Sequence, residues 1–323
     1  MKAIVQDGFG PPDVLELRDV PDPVPGDDGV LIQIRAAGCG PDVWHLTTGK
    51  PYFARLMPEL RKMWPNPRGR DVAGVVEDVG ANVTDLRPGD EVMGTVEGSF
   101  AELAVGTTEK LVRKPARLSF EEAAAAPISG LTALQALRDV AKVQRGRSVL
   151  IIGAGGGVGT LAVQIAKAFG ATVTGVCSGS KVDLVRSLGA DDVIDYTQED
   201  FTDGSRRWDV IVDTAGRRPL RRLRRALAPK GILAIVGGDG GGNWTGGFFR
   251  QILRGPVLSL FSGQKMRPVI SKETLEDLGT LRDLIEAGSV TPVVGRTFSL
   301  GEAPDAIRYL AEGHARGKIV VTV

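Results

Sequence analysis

Between Val149 and Gly170 the period of the apolar positions switches within a few residues. Val149–Ile152 are four apolar residues in a row, which predicts a strand buried on both faces. Gly153, Gly155, Gly156, Gly157 and Gly159 come next. Then Val158, Leu161, Ala162, Ile165, Ala166 and Phe169 recur at helical spacing, giving a helix with one apolar face. A strand, a glycine turn and a helix start in that order predict a phosphate site. Free amide N–H groups and the helix dipole point at the anion, and glycines let the backbone approach it. In the turn from Ala154 to Gly159, Ala154 stands where a Gly-x-Gly-x-x-Gly fingerprint has its first glycine. The strand and helix that such a fingerprint needs are present on both sides.

The rest of the pattern falls into two textures. Up to residue 115, short strand-like runs are separated by Pro, Gly and Asp turns: Lys2–Gln6, Val14–Arg18, Val30–Ala36, Val72–Val79, Glu91–Met93 and Phe100–Val105. Regular helices are scarce there. Between two of the runs lies the long loop Thr47–Arg70, with Tyr52, Phe53, Leu56, Met57, Met63 and Trp64 among basic residues; its length and aromatic content suit a site cover. From Ser119, a plausible cap, Glu121–Val140 is alanine-rich with helical periodicity. Strands Ala171–Val176, Val193–Ile194, Asp209–Val212, Ile232–Val236 and Val257–Phe261 then alternate with helices Lys181–Leu188 and Leu220–Leu227. With Val149–Ile152 that makes the six strands of a doubly wound parallel sheet. After Gln264 a helix (Thr274–Ala287), a strand near Val293–Phe298, a helix (Ala303–Glu312) and a last strand (Lys318–Val323) do not extend the series, so they are expected to return to the first domain.

Composition narrows the function classes. The 323 residues are long enough for two domains, and Lys plus Arg number 40 against 39 for Asp plus Glu. A nearly neutral chain offers no electrostatic case for nucleic acid or a membrane surface. The basic run Arg217–Arg225 has six arginines but no interleaved stacking aromatics, and reads as a solvated helix face. No apolar stretch is long enough to span a bilayer, and the first residues lack a secretory h-region. Two distant cysteines, Cys39 and Cys177, give no disulfide framework and fit a reducing cytoplasm.

Several blocks resemble the medium-chain dehydrogenase/reductase superfamily in its zinc-free quinone oxidoreductase branch. They are Gly69–Gly80, Arg87–Met93, Ala126–Ala133, the turn Gly153–Gly159, Ser187–Tyr196 and Gly313–Val323. The resemblance implies an α/β protein: a GroES-like β-rich catalytic domain (1–117 and 266–323), a Rossmann doubly wound parallel sheet domain (118–265), and a cofactor in the cleft between them. It also implies a homodimer joined through edge strands, with Val257–Phe261 the apolar candidate.

The second strand of the parallel sheet runs into Cys177, Ser178, Gly179, Ser180 and Lys181, with no carboxylate to take the ribose hydroxyl of NAD. Hydroxyls and an ammonium suit the extra phosphate of NADPH. In the branch resembled, a Lys at this place and a Tyr after the third strand bind that phosphate; they match Lys181 and Tyr196. Gly155, Gly156, Gly157, Val158 and Gly159 are the pyrophosphate candidates, with Ser178 beside the phosphate. Thr132 matches a position near the nicotinamide, and Lys318 in the closing block is a further cofactor candidate. Gly237 and Gly238, at the carboxyl edge of the sheet, would let backbone approach the nicotinamide side. Trp244, Phe248 and Phe249 would wall the acceptor pocket.

A catalytic zinc needs several N or S ligands. Cys39 stands where zinc-dependent relatives have their first ligand, but the second place is Arg70, beside Asp71, and the third falls near Ser129. A guanidinium cannot replace an imidazole, and a four-cysteine structural site is impossible with two cysteines. Cys39 reads as a small buried residue, and no metal is expected. Without a Lewis acid, simple carbonyls are poorly polarised. Quinones and α,β-unsaturated carbonyls are already electrophilic, so a quinone or enone is the expected small-molecule substrate, reduced by hydride from NADPH. Enoyl reduction in biosynthesis, alcohol dehydrogenase-like activity and a non-catalytic NADPH-binding or RNA-associated role are the alternatives. Candidate acids or orienting groups are His45 and Tyr52. His45 stands at the Tyr place of an Asn-Pro-x-Asp-x-Tyr run that here reads Gly40 to His45.

Overall fold

A computed structural model describes residues 1–52, 55, 67–237, 255, 259 and 263–323. Their contacts divide into two compact units, Met1–Leu131 with Glu273–Val323, and Thr132–Lys272. These limits differ from the sequence-based 117/118 and 265/266. The helical stretch after Ser119 packs on strands of the first unit, and Lys272 is tied to Gln135 by hydrogen bonds in both directions.

In chain order the strands before residue 115 are β1 (Lys2–Val5), β2 (Glu16–Asp19), β3 (Gly29–Cys39), β4 (Asp71–Val79), β5 (Glu91–Thr95), β6 (Leu103–Thr107) and β7 (Leu111–Arg113). Helix α1 (Pro41–Thr48) interrupts the β-rich texture. Its signals are terminal: Pro41 opens the first turn, and Gly49 closes it in the left-handed region with φ +59°. Next come α2 (Phe120–Ala124) and α3 (Pro127–Gln135), followed by a π turn over Ala136–Val140. The single helix predicted over Glu121–Val140 is therefore broken. Pro127 lacks an N–H and biases Ala126 away from helical backbone. Ser119 caps α2 as expected: its hydroxyl accepts from Glu122 N, while its own amide donates to the Glu122 carboxylate.

The second unit contains β8 (Ser148–Ile152), α4 (Gly157–Ala168), β9 (Thr172–Cys177), α5 (Val182–Ser187), β10 (Asp192–Asp195), β11 (Trp208–Asp213), α6 (Leu220–Ala226), β12 (Leu227–Ile235) and β13 (Lys265–Pro268). All pairings in this sheet are parallel, in the order β10-β9-β8-β11-β12-β13. The order reverses beside β8, and ligands of doubly wound sheets bind at such a switch point. Leu150, Ile152, Val176, Ile211, Leu233 and Ile235 pack into one apolar core. The sixth strand is not Val257–Phe261: Ser259, the one described residue of that run, is helical, and Lys265–Pro268 takes the edge. A short apolar run does not distinguish strand from helix.

The chain then returns to the first unit through α7 (Leu275–Glu286), β14 (Val294–Ser299), α8 (Ala303–Ala311) and β15 (Lys318–Thr322). The resulting sheet runs β14-β15-β3-β4-β5-β7, with β6 also on β3. The last strand is thus inserted beside β3, where Ile319 pairs with Cys39 and Val320 with Gly38.

Candidate functional site

The phosphate turn sits at the carboxyl end of β8. Gly153 turns the chain at φ +81°, and Gly156 caps α4 in extended backbone. The amides of Gly157, Val158 and Gly159 head the helix, where no preceding carbonyl of the helix reaches them. Gly159 is required by close approach, since a Cβ there would lie 2.1 Å from the backbone oxygen of Gly153, and a Cβ on Gly155 would lie 2.7 Å from Lys181 Cδ. The aliphatic stem of Lys181 therefore lies against the turn. Bare amides at a helix head fit a pyrophosphate.

The residues expected to hold an additional phosphate gather beside that turn. Tyr196 N donates to Cys177 O at 3.1 Å, which brings the end of β10 to the end of β9. Tyr196 is 45% exposed, and Ser178 Oγ lies 3.3 Å from Ser180 Oγ. One expectation is corrected here. The parallel register sets Asp195 opposite Cys177, and Asp195 Oδ2 lies 2.7 Å from where a Cβ of Gly179 would be. A carboxylate does stand at this strand end, supplied by the neighbouring strand. It accepts from Thr197 N at 3.0 Å and Thr197 Oγ1 at 2.8 Å.

Gly237 is constrained within its own unit: a Cβ there would lie 1.9 Å from Thr214 O, so it is needed where β11 and β12 converge. Thr132 is half-buried on α3. Gly238, Trp244, Phe248 and Phe249 lie outside the described residues, as do Phe53, Leu56, Met57, Met63 and Trp64 of the long loop. Leu220, Leu223 and Ala226 of α6 are buried, while Arg221, Arg222 and Arg225 are exposed, the solvated face that was expected.

In the first unit His45 is exposed on α1, and its Nδ1–H donates to Lys50 O at 2.7 Å. That bond places the acceptor nitrogen of a neutral ring at Nε2. The Arg55 guanidinium stacks 4.6 Å from the Tyr52 ring centroid.

A second constellation was not foreseen as one. Lys318, expected among the cofactor contacts, is 5% exposed; its Nζ lies 2.7 Å from Asp71 Oδ2 and donates to Ser129 Oγ at 3.3 Å. Asp71 Oδ1 accepts from Ile128 N at 2.7 Å, in the first turn of α3. Burial pushes the Asp71 carboxyl up against the pull of Lys318. Burial alone would lower the Lys318 ammonium, but the carboxylates of Asp71 and Asp42 hold it above the usual lysine value. Space for the pair comes from absent side chains. A Cβ on Gly38 would lie 2.7 Å from Asp71 Oδ2, and one on Gly40 would lie 3.1 Å from Lys318 Nζ and 2.5 Å from Asp42 Oδ1.

Side chains alternate along a strand, so Cys39 faces the other way from Gly38 and Gly40. It packs with Ile4, Ala37, Val43, Phe100 and Ile319, and burial pushes its thiol up to about 12. Arg70 turns to the carboxylate of Glu273, which also accepts from Thr95 Oγ1 at 2.9 Å. Among the described residues no group of three or more His, Cys, Asp and Glu could hold a metal ion, and no helix is long and apolar enough to cross a membrane.

Residues 26–116 match the family described as Alcohol dehydrogenase GroES-like domain, and residues 188–321 match the one described as Zinc-binding dehydrogenase. The chain is 31% identical over 320 residues to the chloroplast envelope quinone oxidoreductase homolog of Arabidopsis thaliana, covering 95% of this chain and 93% of that protein. It is 36% identical over 336 residues to the 2-methylene-furan-3-one reductase of Solanum lycopersicum, covering 99% and 79%. The crystal structure of Escherichia coli quinone oxidoreductase complexed with NADPH superposes with a TM-score of 0.85 at 26% identity, covering 100% of both chains. The zinc in the second family description does not fit these residues. Cys39 packs into an apolar cluster, Arg70 is a cation paired with Glu273, and Ser129 already accepts from an ammonium.

Proposed function

As a member of the medium-chain dehydrogenase/reductase superfamily, in its quinone oxidoreductase-like branch, the chain is an NAD(P)H-dependent oxidoreductase, and we propose that it is an NADPH-dependent, metal-free reductase of quinones or α,β-unsaturated carbonyls. The observation that carries the choice of NADPH is the stem of Lys181 lying on Gly155, with Ser178 and Tyr196 beside it. Gly155 to Gly159 hold the pyrophosphate with backbone amides, and Lys181, Ser178 and Tyr196 receive the additional phosphate. Asp195 opposes that anion and limits the preference. The bound cofactor supplies hydride. Thr132 and Gly237 serve its nicotinamide half.

On the acceptor side, His45 and Tyr52 are the groups proposed to orient the substrate and pass a proton. The Nδ1–H of His45 is committed to Lys50 O, so the proton moves at Nε2. With Cys39, Arg70 and Ser129 unable to assemble a Lewis acid, the enzyme acts on acceptors that are electrophilic by themselves. The relatives' names, a quinone oxidoreductase homolog and a furanone reductase, support this substrate class. The test is loss of NADPH absorbance with quinone, enone and simple ketone panels, each repeated with chelator. Turnover of quinones or enones that survives chelation is expected. Turnover confined to ketones, or lost with chelator, would overturn the proposal.

A further inference from the structure

The Asp71–Lys318 pair is expensive to bury, and the fold removes two side chains to admit it. Gly38 near the end of β3 and Gly40, which follows the strand in extended backbone, leave the space: a Cβ on Gly38 would lie 2.6 Å from Ala124 O and 2.7 Å from Asp71 Oδ2, and one on Gly40 would lie 2.5 Å from Asp42 Oδ1 and 3.1 Å from Lys318 Nζ. Asp71 and Lys318 are 1% and 6% exposed in their side chains. The oxygens gathered here are Asp71 Oδ1 and Oδ2, Asp42 Oδ1 and Ser129 Oγ. The buried Asp71 carboxylate beside the Ser129 hydroxyl, with the half-buried Asp42 carboxylate on the Gly40 side, is a set of oxygen donors that calls for a cation.

We propose that the ammonium of Lys318 is the built-in cation of this cradle, satisfying its buried carboxylate and keeping a metal ion out. The lysine is delivered by the last strand. Lys318 opens β15, and the backbone pairing of Ile319 with Cys39 fixes how far along β3 its stem begins. Its three donors can serve Asp71 and Ser129 with one to spare for the side of Gly40, where Asp42 stands. A tethered ammonium cannot be removed by chelation and carries one charge where a divalent ion carries two. It neutralises Asp71 without acting as a Lewis acid. All of these residues belong to the first unit.

The experiment compares the whole protein with Lys318→Ala, each dialysed against Mn²⁺ and against Co²⁺, counting bound metal and recording melting curves. The wild type is expected to bind no ion at the cradle and to melt at the same temperature with or without metal. Lys318→Ala is expected to lose about 10 °C of melting temperature, from stranding Asp71. It should then take up one ion per chain and recover part of the loss, and Asp71→Asn in that background should abolish uptake. If Lys318→Ala does not fold, the pair Lys318→Met with Asp71→Asn decides: recovery of folding upholds the proposal, and failure to recover overturns it. A wild-type ion that Asp71→Asn removes, or a folded Lys318→Ala that binds none, also overturns it.

Discussion

A Cβ on Gly159 would lie 2.1 Å from Gly153 O, and a Cβ on Gly38 would lie 2.7 Å from Asp71 Oδ2. Each site is opened by leaving out a side chain, and each is organised around charge. They differ in where the counter-charge comes from. At the head of α4 the protein offers N–H groups that no carbonyl of the helix reaches, and the proposed anion comes from solution. Beside β3 the protein supplies both charges, and the cradle is already full. The first arrangement is the one proposed to bind; the second holds strand, helix start and last strand together. A glycine that admits a ligand and a glycine that admits the protein's own ion pair look alike in a sequence, and only the neighbours tell them apart.

The sharpest way to break this contrast is to empty one half of the full cradle. Asp71→Ala leaves Lys318 buried without its partner and should cost about 3–5 kcal/mol of stability in chemical denaturation; a loss under about 1 kcal/mol would mean the pair is not what the cradle is built for. The open site is tested next by Gly159→Val, whose branched side chain meets backbone that cannot yield. Nucleotide affinity measured by calorimetry should fall by about a hundredfold, about 2.7 kcal/mol, against a smaller change in melting temperature. Lys181→Ala should weaken NADPH binding by about tenfold and leave NADH nearly unchanged; equal losses for both would remove the phosphate role. In the opposite direction, Asp195→Asn should tighten NADPH by about threefold in the same titration, since a partly solvated opposing charge is worth little.

The smallest effect is a pH dependence in the second unit. Asp209 Oδ2 accepts from Ser148 N at 3.0 Å and Ser148 Oγ at 2.9 Å, which holds its carboxyl below the usual aspartate value. A lowered folded-state value contributes stability above the ordinary aspartate range, and loses it as pH falls through the lowered value. Asp209→Asn should therefore flatten the acid limb of a melting-temperature profile and change little at neutrality.

The strand, glycine turn and helix of the open site were legible because they are local. Val149–Ile152, the glycines and the apolar helix face occupy one continuous stretch, and Ser178 and Lys181 follow at the next strand end. Asp195 was missed because only the β9–β10 register brings it to Gly179. The full cradle draws on residues 40, 71, 129 and 318, and no local pattern joins them. Period-two alternation could have separated Cys39 from Gly38 and Gly40, because Ala37 and Cys39 share the apolar face. The true sixth strand, Lys265–Pro268, carries Lys, Arg and Pro, which suit an exposed edge and lack the apolar signal of Val257–Phe261.

The insertion of β15 beside β3 carries a consequence for biosynthesis. The parallel sheet is encoded in one uninterrupted segment and can close while the ribosome is still adding residues. The first-made sheet stays incomplete until the final strand emerges, and until then Asp71 waits without its lysine. Of the two units, the one whose translation begins first is therefore the one that matures last.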